Sequence, residues 1–112
     1  MERVTASESS RREYESVADL LAGESGATRG QMMGMPTLYL AGKAFAGLWG
    51  DAMVFKLDGD DHAAALALDG AALFDPSGVG RPMKAWVRVP VAHCAEWPRL
   101  ARAGARSLPA VR

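Results

Sequence analysis

The stretch that decides the fold is residues 36–57, PTLYLAGKAFAGLWGDAMVFKL, in which apolar side chains recur at alternate positions. A period of two is typical of β-strands with one buried face. Two turn signals, at residues 41–43 and 50–51, divide the stretch into three strands. These strands span 36–41, 43–49 and 52–57. Connections this short cannot hold the crossover that parallel neighbours need, so the sequence predicts an antiparallel meander.

A helix is predicted before the meander. Apolar residues recur at i, i+3, i+4 and i+7, which indicates a helix over residues 9–22. Ser7 or Ser9 is placed to cap its first turn, after a frayed segment over residues 1–7. Gly23 is the first of three glycines that we expect to end the helix and open a loop.

Two more helices and two more strands are predicted after the meander. An Ala-rich helix over 60–68 follows a cap at Asp58 or Asp60, and strands are predicted at 73–74 and 83–89. The last helix begins near residue 96, because a proline at position 98 is tolerated only in a first turn. The order α-β-β-β-α-β-β-α predicts a two-layer α+β fold, an antiparallel five-stranded sheet with helices on one face.

Alternation divides the strand side chains between two faces of this sheet. The more apolar face is the natural core side and carries Leu38, Leu40, Met53, Phe55, Leu57, Met83, Ala85, Val87 and Val89. The second strand is ambiguous, because Phe45 and Trp49 fall on one side while Ala44, Ala46 and Leu48 fall on the other.

The opposite face mixes aromatic and basic groups and is the candidate interaction surface. Its residues are Tyr39, Lys56, Lys84, Trp86 and Arg88. With helices on one side only, we expect Trp86 at the surface or in an interface, since an apolar patch rimmed with charge marks a contact site. Replacing Trp86 by Ala is then expected to cost little monomer stability.

Composition predicts one soluble domain over residues 1–112. The chain is 49% hydrophobic and 23% charged, and its 13 basic and 13 acidic residues give zero formal charge. That balance argues against a dedicated binder of nucleic acid or of anionic membranes. No stretch is apolar enough to predict membrane insertion. A single cysteine and no export signal predict a cytoplasmic protein, and an Ala- and Arg-rich chain without Ile or Asn favours a high-GC bacterium.

Motifs for catalysis and metal binding fail at particular positions. Gly42-Lys43 lies in a hairpin turn rather than before a helix, so it does not predict a phosphate-binding loop. The acids at 58–61 lack the glycine of a calcium loop, since Ala63 takes that place. His93 and Cys94 are adjacent in the chain, and adjacent side chains rarely converge on one acceptor. We therefore expect no catalytic residue, no metal, no cofactor and no enzymatic activity.

Two side-chain groups admit alternatives. Met32, Met33 and Met35 form either a pliable recognition surface or ordinary core filling, and we favour core filling. A stripe of arginines at 99, 102 and 106 either contacts phosphate or is a solvated helix face, and we favour the solvated face.

Residues 32–40 (MMGMPTLYL), 41–46, 50–57 and 80–90 (GRPMKAWVRVP) resemble the TfoX/Sxy N-terminal domain family. With the helices at both ends, the likeness covers nearly the whole chain, although its motifs are structural. Met33 stands where the family commonly has Phe, and Met35 where a second Gly is frequent. The resemblance implies the secretion-chaperone-like fold and a stand-alone domain without the helical C-terminal domain of the competence regulators.

The resemblance also implies a non-enzymatic adaptor or regulatory module. We expect it to act through protein–protein contacts, with an unknown partner or with a second copy as a homodimer. Single-stranded nucleic-acid binding is the alternative, because bases can stack on Tyr39 and Trp86 beside cations; zero net charge weakens it. A small-ligand pocket between sheet and helices is a further alternative, for which the sequence supplies no convergent polar cluster.

Overall fold

The computed structural model describes residues 7–108, which form three α-helices and a six-stranded antiparallel sheet. In chain order the elements are α1 (Glu8–Ser25), β1 (Thr28–Met32), β2 (Met35–Leu40), β3 (Lys43–Trp49), β4 (Ala52–Lys56), α2 (Gly59–Leu66), β5 (Ala72–Phe74), β6 (Met83–Pro90) and α3 (Trp97–Ser107). A 3₁₀ segment, Val91–Glu96, joins β6 to α3. The strand order across the sheet is β1-β2-β3-β4-β6-β5. The predicted α+β class with an antiparallel sheet is confirmed.

The start of α1 is fixed by a cluster of hydroxyl and carboxylate groups. Ser7 is the N-cap, as predicted, and its hydroxyl accepts the backbone N–H of Ser10 at 3.2 Å. The Asp51 carboxylate, in the turn between β3 and β4, accepts the Ser7 N–H at 2.8 Å and the Ser10 hydroxyl at 2.9 Å. These bonds hold the helix start against the sheet. The frayed segment predicted at 1–7 lies outside the described residues except for Ser7.

The strand β1 corrects the predicted count of five strands. Helix α1 continues past Gly23 and ends at Gly26, whose φ of +73° lets the chain turn directly into β1. A two-residue turn, Met33-Gly34, with φ of +53° and +76°, then pairs β1 with β2. The residues TRGQM show no apolar alternation. These residues form a strand because they pair with β2, and their own sequence pattern does not predict that pairing.

All three helices pack on one face of the sheet. The large side chains buried there include Tyr14, Leu21, Leu38, Phe45, Met53, Phe55, Trp97 and Leu100. The predicted inner face of α3, formed by Trp97, Leu100, Ala101 and Gly104, is buried and therefore confirmed. At Gly104 an added Cβ would lie 2.9 Å from the Phe45 carbonyl oxygen, so α3 sits close against the strands.

A β-bulge in β3 resolves the ambiguity of that strand. Leu38 pairs with Ala46, whereas Tyr39 pairs with Ala44, so Phe45 is an extra residue on β3. Both Phe45 and Ala46 are therefore buried on the helix-covered side. Strict alternation cannot assign such a strand to faces.

Within residues 7–108, no helix is long and apolar enough to cross a bilayer.

Candidate interaction face of the sheet

The face of the sheet that the helices leave uncovered, termed the open face, has its own small core. Its buried centre consists of Met35, Val54, Phe74 and Trp86. Half-buried Met32, Ala44, Trp49 and Met83 pack around that centre. Among residues 7–108, no helical side chain belongs to this cluster, so strand residues alone bury it.

Trp86 lies on the open face, but it is only 7% exposed. The expectation that it lies at the surface is therefore wrong. Trp86 is buried by other side chains of the open face, without a helix. The Trp49 and Phe74 rings meet edge to face, with centroids 5.4 Å apart and planes at 70°. Trp49 lies on β3 and Phe74 on β5, so the two rings meet across β4 and β6, the strand that carries Trp86.

The start of β6 also departs from strict alternation. Leu73 pairs with Val87, but the next residue of β5, Phe74, pairs with Met83. Met83 packs into the open-face cluster and Ala85 is exposed, so the prediction that both belong to the helix-covered core is wrong. The irregularity inserts residues of β6 that have no partner in β5, and the alternation restarts after them.

Tyr39 is half-buried, and its side chain packs against and hydrogen-bonds to the neighbouring strand β1. A Cβ built on Gly30 would lie 2.8 Å from the Tyr39 ring, so the ring covers the glycine of the neighbouring strand. The Tyr39 hydroxyl donates to the Gln31 backbone carbonyl at 2.9 Å. One face of the ring and the hydroxyl are thus already engaged within the chain.

Two cations of the predicted surface lie side by side on the open face. Lys56 on β4 pairs with Trp86 on β6, and Val54 pairs with Arg88, so Lys56 and Arg88 occupy diagonal positions. Such positions are about 7–8 Å apart. Lys84 is exposed near the start of β6. Within residues 7–108, none of these three cations forms an ion pair.

Two cations on the helix-covered side, Arg29 and Arg102, have acidic partners. Arg29 of β1 reaches Glu15 at 2.9 Å and Asp19 at 2.7 Å on α1. Arg102 of α3 makes a bidentate pair with Glu24, at 2.9 and 2.7 Å, which lowers the pKa of that carboxyl. Lys56 and Arg88 on the open face differ from these two arginines in having no ion pair among the described residues.

A depression between α1 and α3 is the candidate small-ligand site. Glu24, Ser25, Leu40, Arg102, Ala105 and Arg106 line its volume of about 310 Å³. Two of its charged groups, Glu24 and Arg102, are already paired with each other. These two charged groups are thus committed to holding α1 and α3 together.

The candidate catalytic and metal-binding side chains are dispersed. Within residues 7–108, no three His, Cys, Asp or Glu side chains are grouped so that they could hold a metal ion. His62 Nε2 lies 2.8 Å from the Lys84 carbonyl, and His93 Nε2 lies 2.8 Å from the Asp69 carbonyl. Both imidazoles therefore tie helical segments to neighbouring backbone.

The site and fold define a class: an α+β domain with one helix-covered sheet face and one open, basic face. The chain matches no protein-family model, no curated protein and no solved structure. The TfoX/Sxy relationship therefore stays a prediction that rests on the residues of 32–57 and 80–90.

Sequence reasoning missed several residues of the open face. Alternation brought Tyr39, Lys56, Trp86 and Arg88 to one face, and the pairing of the strands agrees. It did not find the contribution of Phe74, whose ring contacts Trp49 across the two strands that separate β5 from β3. The ambiguous position of Trp49 was the one signal that the open face holds more aromatic surface than alternation assigns.

Proposed function

We propose that this protein is a small non-enzymatic adaptor or regulatory domain that binds another protein through the open face. The observation that carries the proposal is two neighbouring cations, Lys56 and Arg88, that form no ion pair with the described part of the chain and lie on the same face as half-buried apolar Met32, Trp49 and Met83. Apolar surface rimmed with charge is typical of protein contact sites.

The finer parts of this proposal rest on the sequence. The residues of 32–57 and 80–90 support a relationship to TfoX/Sxy N-terminal domains, from which the adaptor role follows. A lone cysteine, which cannot form an internal disulfide, supports a cytoplasmic location, and the codon-biased composition supports a bacterial source.

Affinity recovery with a matched pair of variants tests the proposal. Ala44→Gln places a longer neutral side chain on the half-buried rim of the open face. Ala64→Gln makes the same change at an exposed position of α2, on the helical side. Each immobilised protein is incubated with bacterial cytosolic extract, and the recovered proteins are compared, with circular dichroism as the check on folding.

We expect a protein that the unaltered chain and Ala64→Gln both recover and that Ala44→Gln loses. Equal recovery by all three, or recovery of nothing by the unaltered chain, would overturn the proposal.

A further inference from the structure

The sheet is basic although the chain as a whole is neutral. The six strands contain no Asp or Glu, and their charged residues are Arg29, Lys43, Lys56, Lys84 and Arg88. Helix α1 carries five acids against two arginines, whereas α3 carries three arginines and no acid. A net charge of zero therefore conceals a basic sheet whose charge is balanced by acids outside the strands.

Lys56 and Arg88 are placed to share one anionic group. They are half-buried and diagonal on neighbouring strands, and within residues 7–108 no strand contributes an acid to their face. Partial burial lowers the effective dielectric constant, which strengthens both their mutual repulsion and their attraction for an anion. A carboxylate suits the pair, since Arg binds carboxylates through two parallel hydrogen bonds and Lys adds a point charge.

A second copy of the chain fits the open face poorly. In a symmetric dimer the same patch meets itself, so one cationic patch would lie against another. Like charges across an interface oppose association. The acids of helix α1 on another copy have the right charge, but that contact would join different patches and can continue into an open chain of molecules.

Single-stranded nucleic acid also fits poorly. Its binding to such surfaces depends on bases stacking on free aromatic rings. Trp86 is 7% exposed, Trp49 packs against Phe74, and the Tyr39 ring lies on Gly30. The open face offers cations and apolar side chains rather than stacking platforms.

Building on the function proposed above, we infer that the open face receives an acidic segment of the partner protein. A carboxylate of that segment lies between Lys56 and Arg88, and its apolar side chains contact Met32, Trp49 and Met83. The partner is thus defined by its chemistry: carboxylates spaced among apolar residues.

Fluorescence polarisation with defined probes tests the inference on the full chain. The probe is a short labelled peptide with Glu at alternate positions and Leu and Ser between them; the comparison probes are its Gln counterpart and oligo-dT. The protein variants are Lys56→Gln, Arg88→Gln and the control Lys43→Gln. Lys43 pairs with Leu40, which packs on the helix-covered core, so the control removes a sheet cation from the other side.

We expect the Glu peptide to bind more tightly than the Gln peptide or oligo-dT. Lys56→Gln and Arg88→Gln should each weaken its binding about three- to tenfold, and Lys43→Gln should leave it unchanged. Raising the salt from about 0.05 to about 0.5 M should weaken it further, because such contacts are screened.

Tighter binding of oligo-dT, equal loss in all three variants, or no preference for Glu over Gln would overturn the inference. So would sedimentation showing self-association of the unaltered chain that Arg88→Gln abolishes. A partner recovered from extract that Ala44→Gln loses but Lys56→Gln and Arg88→Gln retain would overturn the inference and leave the proposed function standing.

Discussion

The two faces of the sheet are buried by different means. On the helix-covered face, three helices seal residues such as Phe55, which is 0% exposed. On the open face, Phe74 and the other side chains of the cluster bury Trp86 to nearly the same degree. On the helical side Arg29 and Arg102 have acidic partners, whereas Lys56 and Arg88 have none within residues 7–108. Burial of apolar side chains and pairing of charges are thus separate properties of a sheet face.

The largest expected effects come from removing one aromatic ring from each face. Phe55→Ala should lower the free energy of unfolding by about 3–5 kcal/mol. Trp86→Ala should cost about 3 kcal/mol, because its ring is buried as well. Urea unfolding followed by circular dichroism measures both. A loss under about 1 kcal/mol for Trp86→Ala would show that the open face is a surface rather than a second core.

Substitutions at two glycines test how tightly each face is packed: Gly104 on the helix-covered face and Gly47 on the open face. An added Cβ at Gly104 meets the Phe45 backbone oxygen at 2.9 Å, whereas at Gly47 it meets the Met35 terminal methyl at 2.7 Å and the Pro36 oxygen at 3.1 Å. A methionine methyl can move aside and a strand backbone cannot. We expect Gly104→Ala to cost about 2–3 kcal/mol and Gly47→Ala about 1–2 kcal/mol. The same denaturation experiment measures them, and the reverse order would contradict this account.

Tyr14 tests whether every buried polar group on the helix-covered face has a hydrogen-bond partner. Its hydroxyl is buried without a hydrogen-bond partner among the described residues, and burial raises the pKa of Tyr14 to about 12. Tyr14→Phe removes an unpaired polar atom, so stability near pH 7 should rise by about 1 kcal/mol.

The pH dependence of this effect has a definite sign. An unfolded tyrosine releases its proton near pH 10, before the folded one does, so Tyr14 lowers stability as the pH rises from about 10 to about 12. Tyr14→Phe lacks this decline. Urea unfolding of both proteins near pH 7 and above pH 10 measures the difference, and a less stable Phe variant at pH 7 would mean that the hydroxyl has a partner.

The smallest expected effects concern the two turns that flank β2. Met33 and Ala41 both adopt φ of +53°, a conformation that favours Asn or Gly over other residues. Replacing either by Asn should stabilise the protein by about 0.5 kcal/mol, measured by thermal unfolding. Met33 is 53% exposed at the tip of the β1–β2 hairpin, so only Met33→Asn should also reduce recovery of a partner that uses this corner of the open face. Equal recovery by both variants would confine the binding site to the centre of the sheet.

Local signals in the sequence predicted much of this fold. Ser7 as a cap, the turns at 41–42 and 50–51, and the buried face of α3 each depend on a few neighbouring residues. Such features are determined within about one turn or one hairpin, which is the range over which sequence patterns carry information.

The features that the sequence did not predict depend on distant parts of the chain. Strand β1 exists because β2 pairs with it, and Phe45 changes side because of a bulge. Trp86 is buried because it packs in one cluster with Phe74 and side chains from other strands. The sequence therefore predicted the face on which the candidate site lies, but not how deeply its residues are buried. Alternation assigns a side of a strand, whereas packing against side chains of other strands decides exposure.

Tyr39 also affects the edge of the sheet that β1 forms. The two-residue turn that closes β1 on β2 leaves the peptide groups of Arg29 and Gln31 pointing outwards. Unpaired peptide groups at a sheet edge can hydrogen-bond to a strand of another molecule, which is the first step towards fibrils. The Tyr39 hydroxyl already occupies the Gln31 carbonyl, and the opposite border strand, β5, is only three residues long. Because both edge strands offer few free pairing groups, we expect the protein to remain unaggregated at concentrations at which a sheet with long, open edges would polymerise.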